Sequence, residues 1–118
     1  MQRELKVWGE RWTIRQDSTH RTAYLELLPF RRCSWHRHIQ KWNTFVVVYG
    51  AVEIRTQEGH IVLKRGECCT IKPGEWHEFR TYEARSAMLE EMYVEYSEDD
   101  IERVRLGGTW DPGKDMEL

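Results

Sequence analysis

The sequence predicts an all-β domain, a small antiparallel sandwich or barrel, and three observations carry that expectation. Apolar residues recur with a period of two in most segments, as in 22–28 and 43–49, which is the spacing of a strand with one buried face. Turn formers (Pro29, Gly50, Glu58-Gly59, Gly66, Pro73-Gly74 and Gly107-Gly108) break the chain at short, regular intervals. The length, 118 residues, holds one hydrophobic core and not two.

In chain order, strands are expected over 11–16, 22–28, 43–49, 51–56, 61–64, 68–71, 76–81 and 87–96, most of them short and rich in Val, Ile, Tyr, Trp and Thr. The first is the thinnest, because only Trp12 and Ile14 give it an apolar face. Near the end, Ser97 can cap a short helical turn in which Glu98, Asp99 and Asp100 suit the positive end of the helix dipole. After Leu106 the Gly- and Pro-containing stretch reads as a loose tail. The organisation expected is therefore a β domain over 1–106 followed by a tail over 107–118.

Composition excludes several classes of function. The longest strongly apolar run, residues 45–49, falls far short of the ~20 residues a membrane helix needs. Eighteen basic residues against 20 acidic ones give a net charge of −2, without the basic excess of a nucleic-acid-binding domain. Cys33, Cys68 and Cys69 are odd in number, and two are adjacent, so no disulfide framework is expected and the setting predicted is a reducing cytoplasm. The opening Met-Gln-Arg-Glu-Leu-Lys leads into no apolar stretch, so no secretory signal is expected.

Chemistry concentrates on histidines. His36 and His38 are two apart, so on a strand both imidazoles share a face, and burying both is costly without a partner. A divalent metal satisfies two neutral ring nitrogens at once. His77, after the Lys72-Pro73-Gly74 turn, is placed to bring a further ligand from a distant strand. The competing interpretation is three histidines satisfied by hydrogen bonds in a barrel without metal. His20 and His60 lie in predicted turns and read as solvated surface.

These residues resemble the two motifs of the cupins. His36-Arg37-His38, then four residues, Asn43, six residues and Gly50 follow the first motif, G-x5-H-x-H-x4-E-x6-G. Gly66, Gly74 and His77 stand at the matching steps of the second, G-x5-P-x-G-x2-H-x3-N. The chain departs from the pattern at Phe30, which stands where the first motif begins with Gly, at Lys72 in place of Pro, and at Thr81 in place of Asn. It also has Asn43 where the family usually has a carboxylate ligand. The opening Val7-Trp8-Gly9-Glu10-Arg11-Trp12 and the close Glu95-Tyr96-Ser97-Glu98-Asp99-Asp100-Ile101 are similar to the cupin domain of type II mannose-6-phosphate isomerases.

The resemblance implies a single-domain cupin, a small antiparallel jelly-roll β-barrel with a short C-terminal helical turn and tail. It implies a divalent transition metal (Fe, Mn, Ni or Zn) held by His36, His38 and His77, with Asn43 or water completing the shell. It further implies a small-molecule ligand, a sugar or sugar phosphate, and a homodimer. Glu90 and Glu91 are the catalytic candidates, since one of two neighbours on a strand points inward. Glu90 shares a face with Met88, Met92 and Val94. An inward carboxylate serves equally as a proton-transfer base or as the partner of an arginine. Arg37, Lys41 and Lys72 suit a phosphate or a solvated rim.

Three functions fit the sequence: a metal-dependent sugar isomerase or epimerase, a three-histidine non-haem iron dioxygenase, and a non-catalytic carbohydrate-binding module. Trp35, Trp42 and Trp76 each precede a candidate ligand and are expected to face away from it, as packing. Cys68-Cys69 is expected to put one thiol in and one out, and Cys33 reads as filler or as a modified thiol near His36.

Overall fold

From Ala23 to Leu27 every second side chain is buried and those between are not, which fixes one face of this strand on a core. The computed structural model describes residues 1–94 and forms nine such strands there. They are β1 (Gln2–Lys6), β2 (Gly9–Gln16), β3 (His20–Leu27), β4 (Trp42–Tyr49), β5 (Ala51–Thr56), β6 (Gly59–Lys64), β7 (Cys68–Ile71), β8 (His77–Thr81) and β9 (Ser86–Tyr93). One sheet has the order β1-β2-β3-β9-β4-β7 and the other β6-β5-β8, with every pairing antiparallel. The fold is all-β and of jelly-roll type. No helix among the described residues is long and apolar enough to cross a membrane.

The two sheets meet over Leu25, Leu27, Phe45, Val47 and Met88 from the first and Val52, Ile54, Leu63 and Phe79 from the second. Each fully buried side chain of this size contributes about 1.5–3 kcal/mol by leaving water.

The structure departs from the sequence expectation in three places. Strand β1 was not foreseen because its lone large apolar residue, Leu5, is 74% exposed, so no apolar period marks it. It forms as a hairpin on β2, with Lys6 opposite Gly9. Gly9 has φ +147°, and a Cβ there would lie 1.9 Å from the Glu26 carbonyl oxygen, so only glycine allows β2 to approach β3 at this point. Second, Trp12 and Ile14 do not form the core face of β2. Trp12 pairs with Tyr24 on the outer side of the sheet, and Ile14 sits at a bulge and is 50% exposed. The inner face carries Gly9, Arg11 and Thr13 instead. Third, the His36–His38 segment is not a continuous strand: it meets β8 through one isolated antiparallel bridge, His36 to His77. The expected Ser97 turn, the 107–118 tail and the last residues of the 87–96 strand lie outside the described residues.

Candidate metal centre

The bridge between His36 and His77 is what makes a site. The His36 amide donates to the His77 carbonyl at 3.0 Å, and the His77 amide donates back at 2.8 Å. Two residues on, the His38 carbonyl accepts the Gly74 amide at 2.7 Å, so both histidines of the pair are tied to the turn that leads into His77. The rings converge as a result. Their centroids lie 5.0 Å apart for His36–His38, 4.4 Å for His36–His77 and 5.5 Å for His38–His77. One ring nitrogen from each lies within 4.8 Å of the others, close enough for a single ion to touch all three.

The outward nitrogens are fixed by backbone. His36 Nδ1 is 2.6 Å from the Ser34 carbonyl and His77 Nδ1 is 3.0 Å from that of Glu75, which makes Nδ1 the donor and leaves Nε2 as the free lone pair on each ring. Burial, reinforced by the neighbouring imidazoles, lowers the proton affinity of His38; burial also lowers that of His77. Both are therefore held in the neutral form a metal requires. The donor set fits a divalent cation on a further count: His77 Nε2 and Asn43 Oδ1 are buried without a hydrogen-bond partner among the described residues, and such orphaned acceptors are costly unless something positive meets them.

Asn43 is fully buried on the inner face of β4. Its Nδ2 donates to Glu90 Oε2 at 3.3 Å, and Arg21 Nη2 donates to Glu90 Oε1 at 3.0 Å. Glu90 thus points inward from β9, joined by a ladder across β4, β9 and β3. Glu91 points to the opposite face, where it bonds His20 and Thr22. Of the two candidate carboxylates, the structure brings Glu90 alone to the histidines' side, and His20 is the partner of Glu91 and not free surface.

The model of the family described as the cupin domain matches residues 23–93, more than half of the sequence. The chain belongs to the cupin family. Solved structures agree on the fold. The cupin domain of Cnp3 from Schizosaccharomyces pombe superposes with TM-score 0.68 at 7% identity, over 73% of this chain and 64% of that one. KdgF from Halomonas sp. gives TM-score 0.71 at 14% identity, over 79% and 86%. A cupin-superfamily sugar phosphate isomerase, SPO2919 from Silicibacter pomeroyi, gives 0.65 at 16%, over 73% and 59%. This cupin therefore spans less than two-thirds of the Cnp3 and SPO2919 structures. Among curated proteins, nothing matches the sequence.

The departures from the cupin motifs have visible consequences. Phe30, at the position of the first glycine, has φ +52°, so the backbone keeps the left-handed turn and bears its strain in a residue that is 74% exposed. Thr81, in place of the motif's last Asn, is buried and its hydroxyl donates to the Leu28 carbonyl at 2.7 Å.

A cavity of about 400 Å³ opens beside the histidines of this cupin, lined among others by His36, His38, Cys33 and Glu90. Cys33 is buried, its Sγ accepts the Phe79 amide at 3.2 Å, and burial pushes its thiol up to about 11, which makes it inert filler at neutral pH. Cys68 is exposed and Cys69 packs against the core. Trp35 is exposed, and Trp76 stacks under the Arg37 guanidinium at 5.0 Å. Among the described residues, the cations lining the cavity are Lys6, Arg11 and Arg21, and not the Arg37, Lys41 and Lys72 suggested by the sequence. A charged residue in the inward period of Ala23, Leu25 and Leu27 was the signal that could have found Arg21.

Proposed function

We propose that this cupin is a metal-dependent isomerase or epimerase of a small sugar or sugar phosphate. The observation that carries the reading is one cavity lined by His36, His38 and the inward carboxylate of Glu90, with the imidazole of His77 converging on the same two rings. A divalent transition metal (Fe, Mn, Ni or Zn) bound by the three histidines, with Asn43 Oδ1 or water completing its shell, would polarise a substrate carbonyl.

The remaining work falls to the chain's own groups. Glu90 is the group to take the proton from the carbon next to the carbonyl and return it elsewhere. Arg21 and Asn43 each hold one of its oxygens, which fixes the carboxylate's orientation while leaving it further lone pairs. Trp8, Leu25, Phe79 and Met92 form the apolar part of the wall and exclude water from the reacting atoms. The likeness of the sequence to type II mannose-6-phosphate isomerases, and of the fold to a sugar phosphate isomerase, supports this reading.

The second reading is a three-histidine iron dioxygenase, favoured by one observation: an amide, Asn43, stands where cupins usually carry a carboxylate. Metal analysis of untagged protein comes first, followed by proton exchange into deuterated water with a panel of sugars and sugar phosphates, read by NMR. Solvent deuterium in the sugar, lost in Glu90→Gln, supports isomerisation; oxygen uptake with ferrous iron and no exchange replaces it with the dioxygenase. Ligand-induced stabilisation without turnover leaves a binding module. We also propose a homodimer, since Trp12, Ile14 and Tyr24 surround an apolar recess on the outer sheet face; light scattering at monomer mass removes that part.

A further inference from the structure

Three cations stand on the inner face of the large sheet, and only Arg21, through its bond to Glu90, has a place in the chemistry above. The register sets them there: Arg11 lies opposite Leu25, Arg21 opposite Met92, and Lys6 opposite Gly9, all on the side of the sheet that faces the histidines. All three line the cavity with His36, His38 and Glu90. Charged groups among Trp8, Leu25, Phe79 and Met92 are costly unless opposite charge meets them.

The described residues supply only part of that charge. Arg11 Nη2 and Lys6 Nζ share one carboxylate, Glu4, at 2.9 and 3.1 Å. Arg21 Nη2 has Glu90 at 3.0 Å, and Glu90 also serves Asn43. Among the described residues, three cations thus face two carboxylates. Both guanidiniums are mostly buried, at 19% and 22% exposure, and the Nε of each is buried without a partner among the described residues. A bound divalent ion would add to the positive excess, because imidazole ligands bring no negative charge.

We infer that the ligand of this cavity is an anion, a sugar whose carboxylate or phosphate group docks on Arg11 and Arg21. The inference rests on the reading above for the sugar and on the cavity's own charge for the anion. Guanidinium forks match the paired oxygens of both groups, and a cavity of about 400 Å³ has room for a monosaccharide carrying one. Lys6, which shares Glu4 with Arg11, lines the same cavity.

The test is calorimetric titration of the protein with glucuronate, glucose 6-phosphate and neutral glucose, first after EDTA dialysis and then with zinc restored. At least one of the two anions is expected to bind tighter than glucose by about tenfold or more in both states, the loss expected when charge-assisted bonds are missing. Which anion binds better tells a sugar acid from a sugar phosphate. Arg11→Gln and Arg21→Gln should each cut that anion's advantage over glucose about tenfold, while Arg11→Lys retains part of it. The wild-type comparison of charged with neutral sugar decides the matter even where a variant does not fold. Neither anion binding better than glucose, or variants that bind the anion as the wild type does, overturns the inference. Protein that holds no metal, yet keeps its anion preference in EDTA, overturns the isomerase reading and leaves this one standing.

Discussion

Replacing Asn43 by glutamate restores the acidic residue of the cupin motif, and the structure says what that does without metal. Asn43 is fully buried and its Nδ2 donates to Glu90 Oε2 at 3.3 Å. Asn43→Glu turns that hydrogen bond into two facing carboxylates. Two like charges about 4 Å apart repel by about 4 kcal/mol at an effective dielectric of 20. The cost is capped at a similar figure, because protonating one ordinary carboxyl at neutral pH also takes about 4 kcal/mol. For a domain of this size that is a fall in Tm of roughly 15–30 °C. A dication between the carboxylates and the imidazoles removes the repulsion, so metal should restore most of the loss. The assay is thermal unfolding in EDTA and with added zinc, with Asn43→Gln as the control for added volume. In EDTA the variant's deficit relative to wild type should also shrink as pH falls from 7 to 5: a carboxyl whose proton affinity is raised by folding is stabilising below its unfolded value and loses that stability as pH rises. A variant that melts in EDTA like the wild type refutes the Asn43–Glu90 contact. A deficit that zinc does not reverse refutes the claim that position 43 faces the ion.

Gly50 has φ +79°, and a Cβ there would stand 2.7 Å from Ser86 Cβ and 2.8 Å from the Arg85 carbonyl oxygen, so Gly50→Ala should cost about 1–3 kcal/mol in urea unfolding. His77→Ala removes a nitrogen that no group among the described residues satisfies. Metal affinity, measured by competition with a chromophoric chelator, should fall by more than the roughly 10–100-fold that loss of a group supporting a ligand costs. Burial first, then neighbouring imidazoles, lowers His38, and burial lowers His77. The unfolded chain therefore binds protons first as pH drops below about 6.5, and metal-free stability, full above that pH, should decline down to the depressed folded values. Melts in EDTA between pH 8 and 5 that stay flat would contradict this.

The all-β fold was legible because β3 and β4 bury every second residue, and the histidine set because its spacing follows two motifs. Glu90 was legible by parity with Met88 and Met92. What escaped the sequence shares one physical cause. Where the inner face of the large sheet is cavity wall and not core, the rule that apolar residues point inward reverses. Trp12 and Ile14 look like the buried face of β2, yet Arg11 and Thr13 face in, because the register with β3 sets Trp12 beside Tyr24. Strand β1 has no apolar period at all and exists through its pairing with β2 and the contacts of Glu4 with Arg11 and Lys6. A polar strand edge cannot be told from a loop until its partner is known.

That His36–His38 is not a strand bears on how the site is held. A pair on a regular strand would take its geometry from a ladder. Here the pair takes it from three backbone bonds, two between His36 and His77 and one from Gly74 to His38. All three end on the segment from Gly74 to His77, and β8 beyond it is fixed by its register with β5, in which His77 lies opposite Thr56. The position of every imidazole therefore depends on the small sheet, while Glu90, Arg21, Arg11 and Asn43 belong to the large one. The histidine cluster is thus tied to the small sheet and the cationic wall belongs to the large one, and the two face the same cavity. A ligand contacting both would bridge the two sheets, and its binding should register as added resistance to unfolding as well as occupancy.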